Sequence, residues 1–171
     1  TFGSGPGRDF GFDQIVPEEK VGKEYIFTRG AGGDSWENAL LVATEDNTEI
    51  YFNGNLIPTI TLNKNEFYIV EGNFYNPVTV PTIYVRATEK IYAYQGIGGT
   101  TSEVNQGMFF VPPLSCLAAK SVDNIPDLDK IGNINMSDSV IYVIARSTSI
   151  VRVTDNNNTN INISALPGVN Q

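Results

Sequence analysis

Histidine is absent from the 171 residues, and Cys116 and Trp36 are each the single residue of their kind. Without an imidazole, Ser–His–Asp and Cys–His nucleophilic pairs and histidine-ligated metals are excluded. A lone cysteine excludes an internal disulfide and a thiolate metal cluster. Following two prolines and preceding Leu117, it reads as a small buried apolar side chain. No run of about 18 apolar residues occurs, so no membrane-inserting helix is expected. Basic residues are scarce: 11 Lys and Arg against 19 Asp and Glu leave a net charge of −8. That charge repels a nucleic-acid backbone. The opening TFGSGPGRDF has neither the basic nor the apolar region of a signal peptide. Residues 1–12 therefore read as a flexible segment leading into a domain, residues 13–171, cut from a longer polypeptide.

What is abundant is the vocabulary of β structure. Charged residues make up only 18 % of the chain, while Gly, Asn, Thr and Tyr are plentiful. Alternating apolar runs recur about every 8–12 residues. They predict strands at Glu24–Thr28, Asn38–Thr44, Glu49–Phe52, Thr59–Leu62, Glu66–Val70, Thr82–Ala87, Lys90–Gln95 and Met108–Val111. Further strands are expected at Ser139–Ala145, Ile150–Thr154 and Asn160–Ile163. EDNT, FNGN, LNKNE and DNNNTN lie between them as turns. Only Ser115–Lys120 offers a helical turn. Residues Ala39–Ala43 are apolar at every position, as in a strand covered on both faces, whereas Ile60 and Leu62 alternate with threonines. The expected fold is all-β, an antiparallel two-sheet β-sandwich.

An internal echo suggests duplication. LLVATEDNTEIYFNG (Leu40–Gly54) and IYVIARSTSIVRVTDN (Ile141–Asn156) share a plan of apolar strand, polar turn and second strand. On that plan a first pseudo-repeat spans about 13–112 and an incomplete second about 113–171. The missing strands of the second copy would leave a sheet edge, which proteins seldom expose. The natural polypeptide is therefore expected to continue.

Gly-rich YQGIGGTT (Tyr94–Thr101) resembles a phosphate cradle, but no helix opens behind it and no lysine follows. It reads instead as a strand leaving the sheet, with glycines free to take positive φ, and RGAGGDSW (Arg29–Trp36) reads likewise as a loop. The carboxylates sit mostly in turns, so no catalytic pair stands out and an enzyme is not expected. One segment carries calcium-type spacing. In DLDKIGNINMSD, Asp127, Asp129, Gly132, Asn135 and Asp138 fall at loop positions 1, 3, 6, 9 and 12. Ile131 occupies position 5 and no helices flank the loop, which favours a polar connector over a calcium site; calcium is the one cofactor to weigh. Tyr84, Tyr92 and Tyr94 share strand parity, and Trp36 stands in a Gly-rich loop. Together they are candidates for a ligand-stacking surface, against a default of cross-strand packing. Asn135, Asn157 and Asn162 stand in glycosylation sequons, meaningful only in a secretory pathway that uses them.

DQIVPEEKVGKEYIFTRG, ENALLVATEDNTEIYFNG, YAYQGIGG, NQGMFFVPPLSC and VDNIPDLDKIG, in this order, resemble the IgGFc-binding-protein N-terminal-like domain. The likeness runs from about Asp13 to Asn156. It implies an extracellular, non-catalytic binding or adhesion module of a large cell-surface protein. Bacterial members occur in secreted proteins of gliding Bacteroidetes, beside adhesion modules and type 9 secretion signals. The implied partners are an extracellular protein, a glycan or neighbouring domains, with a purely structural spacer as the alternative. IgG binding itself does not carry over with the name.

Overall fold

A computed structural model of the chain describes residues 13–30, 32–34, 37–75, 81–97, 107–115, 119–123, 125, 130–131, 133–135 and 141–164. It divides into two compact units, one of Thr1–Leu114 with Ile163–Gln171 and one of Ser115–Asn162.

In the first unit the alternating runs form β1 (Gly22–Thr28), β2 (Asn38–Ala43), β3 (Thr48–Phe52), β4 (Ile60–Leu62), β5 (Phe67–Val70), β6 (Thr82–Ile97) and β7 (Gly107–Phe110). The turns between them are made by the residues that tolerate them. Asn47, Asn53 and Asn65 take φ of 57°, 52° and 68°, and Gly54 follows Asn53 at 75°.

All seven strands belong to one antiparallel sheet, so the expected pair of separate sheets is not what the hydrogen bonds form. The reason lies in β6. The two short strands expected around Thr88–Glu89 are one strand of 16 residues. Its first half pairs with β1 and β3, its second with β2 and β7. β2 and β3 run end to end along the same edge of β6, and β5 and β4 flank them. Between the halves the β1 ladder jumps from Glu24↔Arg86 to Gly22↔Ile91, a bulge that Lys23 holds by bonding the Thr88 carbonyl and, at 3.1 Å, Glu89. Bulges bend strands. Here the sheet turns back until it nearly closes, and Phe52 of β3 meets Tyr68 of β5 at 6.2 Å between ring centroids. Inward residues of both halves, among them Tyr25, Phe27, Leu41, Ile50, Val70, Ile83, Val85 and Ile91, make one core.

Tyr25 lies wholly within that core, and its hydroxyl donates to the Ile91 carbonyl at 2.6 Å. Burial pushes its pKa up to about 12, and burial pushes Tyr75 up as well. An unfolded tyrosine ionises near pH 10, so the unfolded chain loses these protons before the native one does. Stability is therefore full below pH 10 and falls as pH rises toward 12, by about 1.4 kcal/mol per pH unit per buried tyrosine. Urea titrations at pH 9, 10 and 11 should show that decline, with a shallower slope for Tyr25→Phe.

The second unit contains β8 (Lys130–Ile131) and β9 (Ile134–Asn135), a short hairpin that periodicity does not predict. Residues 141–146 and 150–153 form no strand, contrary to expectation. Among the described residues of 141–164 only Thr154 and Asn160 form a β-bridge, so this segment does not repeat the strands of the first unit. Half of the helical turn expected at Ser115–Lys120 falls outside the described residues, and Ser115, Ala119 and Lys120 are not helical.

Candidate functional site

The outer faces of the two half-sheets differ in chemistry. Beyond the bend, β1, β6 and β3 present a polar row. Arg86 lies opposite Glu24 on one side and Tyr51 on the other. Its guanidinium sits 4.0 Å from the Tyr51 ring centroid, and the Tyr51 hydroxyl donates to Glu49 at 2.6 Å. That hydrogen bond raises the Tyr51 pKa; burial, then hydrogen bonding to Glu24, raises that of Tyr84. These groups satisfy one another, which suits a solvated wall.

The half built from β5, β2, β6 and β7 is apolar outside as well as inside. Register places Phe67 opposite Val42 and Val42 opposite Tyr92; Ile69, Leu40, Tyr94 and Phe110 form the next row. Directly opposed residues share a face. The inward members of these strands, Ala39, Leu41, Val70 and Ala93, are fully buried. Of the outward ones, Phe67 is 61 % exposed, and Ile69, Leu40, Val42, Tyr92 and Phe110 are half-buried. Contiguous apolar surface of this kind marks interaction sites.

The tyrosines proposed from parity do share the outer side of β6, but not one surface. Tyr84 belongs to the polar half and is 4 % exposed; Tyr94 is 6 % exposed. The Tyr94 ring meets Phe110 edge-on at 5.8 Å, and its hydroxyl donates to the Gln14 carbonyl at 3.3 Å. Asp13 beside it accepts the Phe110 amide, so the chain's own segment covers that corner. Tyr92 alone keeps a half-open ring. Sequence reasoning missed Phe67, Leu40 and Val42. The signal is there in ALLVA, apolar at both parities and read as a strand covered on both faces, and in FYIV (Phe67–Val70), which is apolar at both parities as well.

A family model described as IgGFc binding protein matches residues 2–171. The chain belongs to this family. No curated protein and no solved structure matches it. Membership in the IgGFc binding protein family points to a binding module rather than an enzyme. Among the described residues no helix is long and apolar enough to cross a membrane.

A loop stands at the end of the apolar half-sheet where β2 begins and β6 ends. Glu37 is fully buried and closes the loop: its two carboxylate oxygens accept the Gly30 and Gly32 amides, each at 2.8 Å. Arg29 donates to the Gly32 carbonyl at 2.9 Å and to the Gly72 carbonyl at 3.2 Å, and pairs with Asp34 at 2.7 Å. Trp36, the loop residue singled out from sequence, lies outside the described residues, as do Asp127, Asp129 and Asp138 of the calcium-type spacing and Cys116. Gly96 of the glycine-rich segment is an ordinary strand residue, paired with Asn38 and Met108, and not the start of a loop. Gly98 and Gly99 lie outside the described residues.

Proposed function

We propose that this domain is a non-catalytic, extracellular binding module that docks a protein ligand on the apolar outer face of β5, β2, β6 and β7. The single observation that carries the reading is Phe67, a large aromatic residue 61 % exposed at the start of edge strand β5, opposite half-buried Val42, whose other neighbour is Tyr92. Exposed aromatic residues on an apolar patch are the commonest anchors of protein interfaces. The buried-Glu37 loop stands at one end of that face and supplies adaptable polar contacts, the usual division between sheet and loop. The family match supports a binding module; the setting proposed for it is adhesion by a large bacterial cell-surface protein.

The experiment is binding to immobilised IgG Fc, a mucin and a glycan array, by the wild-type chain and by Phe67→Asp. A charge at an apolar anchor is expected to weaken protein capture about tenfold to a hundredfold, corresponding to about 1.4–2.8 kcal/mol. Thermal stability should stay within about 0.5 kcal/mol, because an exposed position has little packing to lose. Glycan binding lost in Trp36→Ala and kept in Phe67→Asp would replace this reading with carbohydrate recognition. A folded domain that captures nothing would leave a spacer.

A further inference from the structure

We propose that Asn53 is a self-modification site, at which the chain deamidates through a cyclic imide formed with Gly54, at a rate set by opening of the β3–β4 hairpin. Asn53–Gly54 is the one Asn-Gly pair in the sequence. Every other asparagine precedes a residue with a Cβ, which crowds the approach of that residue's nitrogen to the asparagine side chain. Asn47 and Asn65 share the left-handed backbone of Asn53, at 57° and 68° against 52°, but Thr48 and Glu66 follow them. Gly54 is exposed at the hairpin tip, near Leu56 at 92 % and Ile57 at 79 % exposed, so water and hydroxide reach its amide. No described residue accepts that amide's proton; the donors on either side are Asn53, to the Tyr84 carbonyl, and Asn55, to the Phe52 carbonyl at 3.0 Å. Nucleophile and target are thus adjacent and wet, and the closed hairpin keeps them apart.

Tyr84 of β6 holds the asparagine twice. The Asn53 amide donates to the Tyr84 carbonyl at 2.8 Å, and the Tyr84 amide donates to Asn53 Oδ1 at 3.0 Å. The side-chain carbonyl therefore takes the ladder place that a main-chain carbonyl would fill, and Cγ is pinned to β6 rather than turned to Gly54. Attack requires these bonds to open. They lie at the end of a ladder, where local opening costs least, and the Thr59 amide donating to the Ile50 carbonyl at 2.7 Å closes the hairpin behind them. In the open turn the Gly54 nitrogen, its proton lost to base, attacks Cγ. The N–Cγ bond forms, the Cγ–Nδ2 bond breaks and ammonia leaves. Water then opens the five-membered imide at either carbonyl. Cleavage at Cγ gives aspartate, whose carboxylate still accepts the Tyr84 amide, now with charge assistance. Cleavage at the main-chain carbonyl gives isoaspartate, whose backbone runs through Cβ and Cγ and lengthens the turn by one atom. One product keeps the hairpin and adds a charge near Leu56; the other loses the Asn55–Phe52 bond that closes the turn.

The test incubates the whole 171-residue chain at pH 7 and pH 9, folded and in guanidinium chloride, and maps mass and isoaspartate peptide by peptide. Asn53 of the folded chain is expected to convert before any other asparagine, faster at pH 9, and at least tenfold more slowly than in the denaturant. Gly54→Asp brings in a Cβ on a residue that also tolerates positive φ, and should slow Asn53 at least tenfold in both states. In the Asn53→Asp variant the Asn55 and Thr59 amides should exchange as slowly as in wild type, and in the isolated isoaspartate form they should exchange faster. A folded chain in which Asn53 stays intact overturns the proposal, whether or not another asparagine converts. So does conversion as fast in the folded chain as in denaturant, which removes the hairpin as the gate, or an unslowed Gly54→Asp variant.

Discussion

Glu37→Ala is expected to cost about 2–5 kcal/mol of folding stability, measured as a fall in the urea midpoint with little change in slope. A fully buried carboxylate is expensive to desolvate, and it persists because charge-assisted bonds compensate it. Here both oxygens are engaged, one by the Gly30 amide and one by the Gly32 amide. Alanine leaves both donors inside the protein with nothing in the carboxylate's place, at about 1–3 kcal/mol each. Release from the cost of burying the charge offsets part of this. Glu37→Gln is expected to lose less, since its carbonyl oxygen still serves one amide while its NH2 faces the other. Gly30→Ala should approach the alanine variant by a different route. A Cβ there would overlap the Ile97 methyl group and sit 3.0 Å from a Glu37 oxygen, so the loop must open. If all three variants match wild type, the carboxylate does not organise the loop, and the loop's place beside the binding face loses its basis.

The all-β class and seven of the strands were legible because they rest on local chemistry. Asparagines at Asn47, Asn53 and Asn65 take the left-handed conformations that their turns require, and apolar alternation marks the inward faces. The join between sheets was not legible. Thr88 and Glu89 read as a break between two strands because they are polar, yet they are the bend of one strand, held from outside by Lys23. Polarity marks exposure, and a bend is exposed as surely as a turn. The same ambiguity misdirected the site. Tyr84, Tyr92 and Tyr94 were grouped by parity alone, but the bend separates Tyr84 from the other two, and Gln14, distant in sequence, covers Tyr94. In the second unit the pattern of Ile141–Ala145 is that of a strand, and the chain withholds the ladder because strand formation needs a partner as well as a pattern. Propensity names candidates for pairing; it does not supply the second strand.

Leu41→Ala offers the sharpest test of which side of β2 holds the fold and which side serves binding. Leu41 is fully buried between Tyr68 and Ala93 in the ladder, so truncation removes its transfer energy and leaves a cavity, at about 3–5 kcal/mol. Such a loss is large against the 5–15 kcal/mol of an ordinary domain and should appear as a clear drop in Tm. Val42, the next residue, turns to the outer face opposite Phe67 and Tyr92, half-buried. Val42→Ala should therefore cost about 0.5–1 kcal/mol and act mainly on ligand capture. The two substitutions are one residue apart and remove similar chemistry, so propensity and local chain effects nearly cancel between them. If Val42→Ala destabilises the domain as much as Leu41→Ala does, the outer face is part of the core rather than a docking surface. A large stability loss at Leu41 alone, with loss of capture at Val42 alone, assigns the inner face to folding and the outer face to recognition.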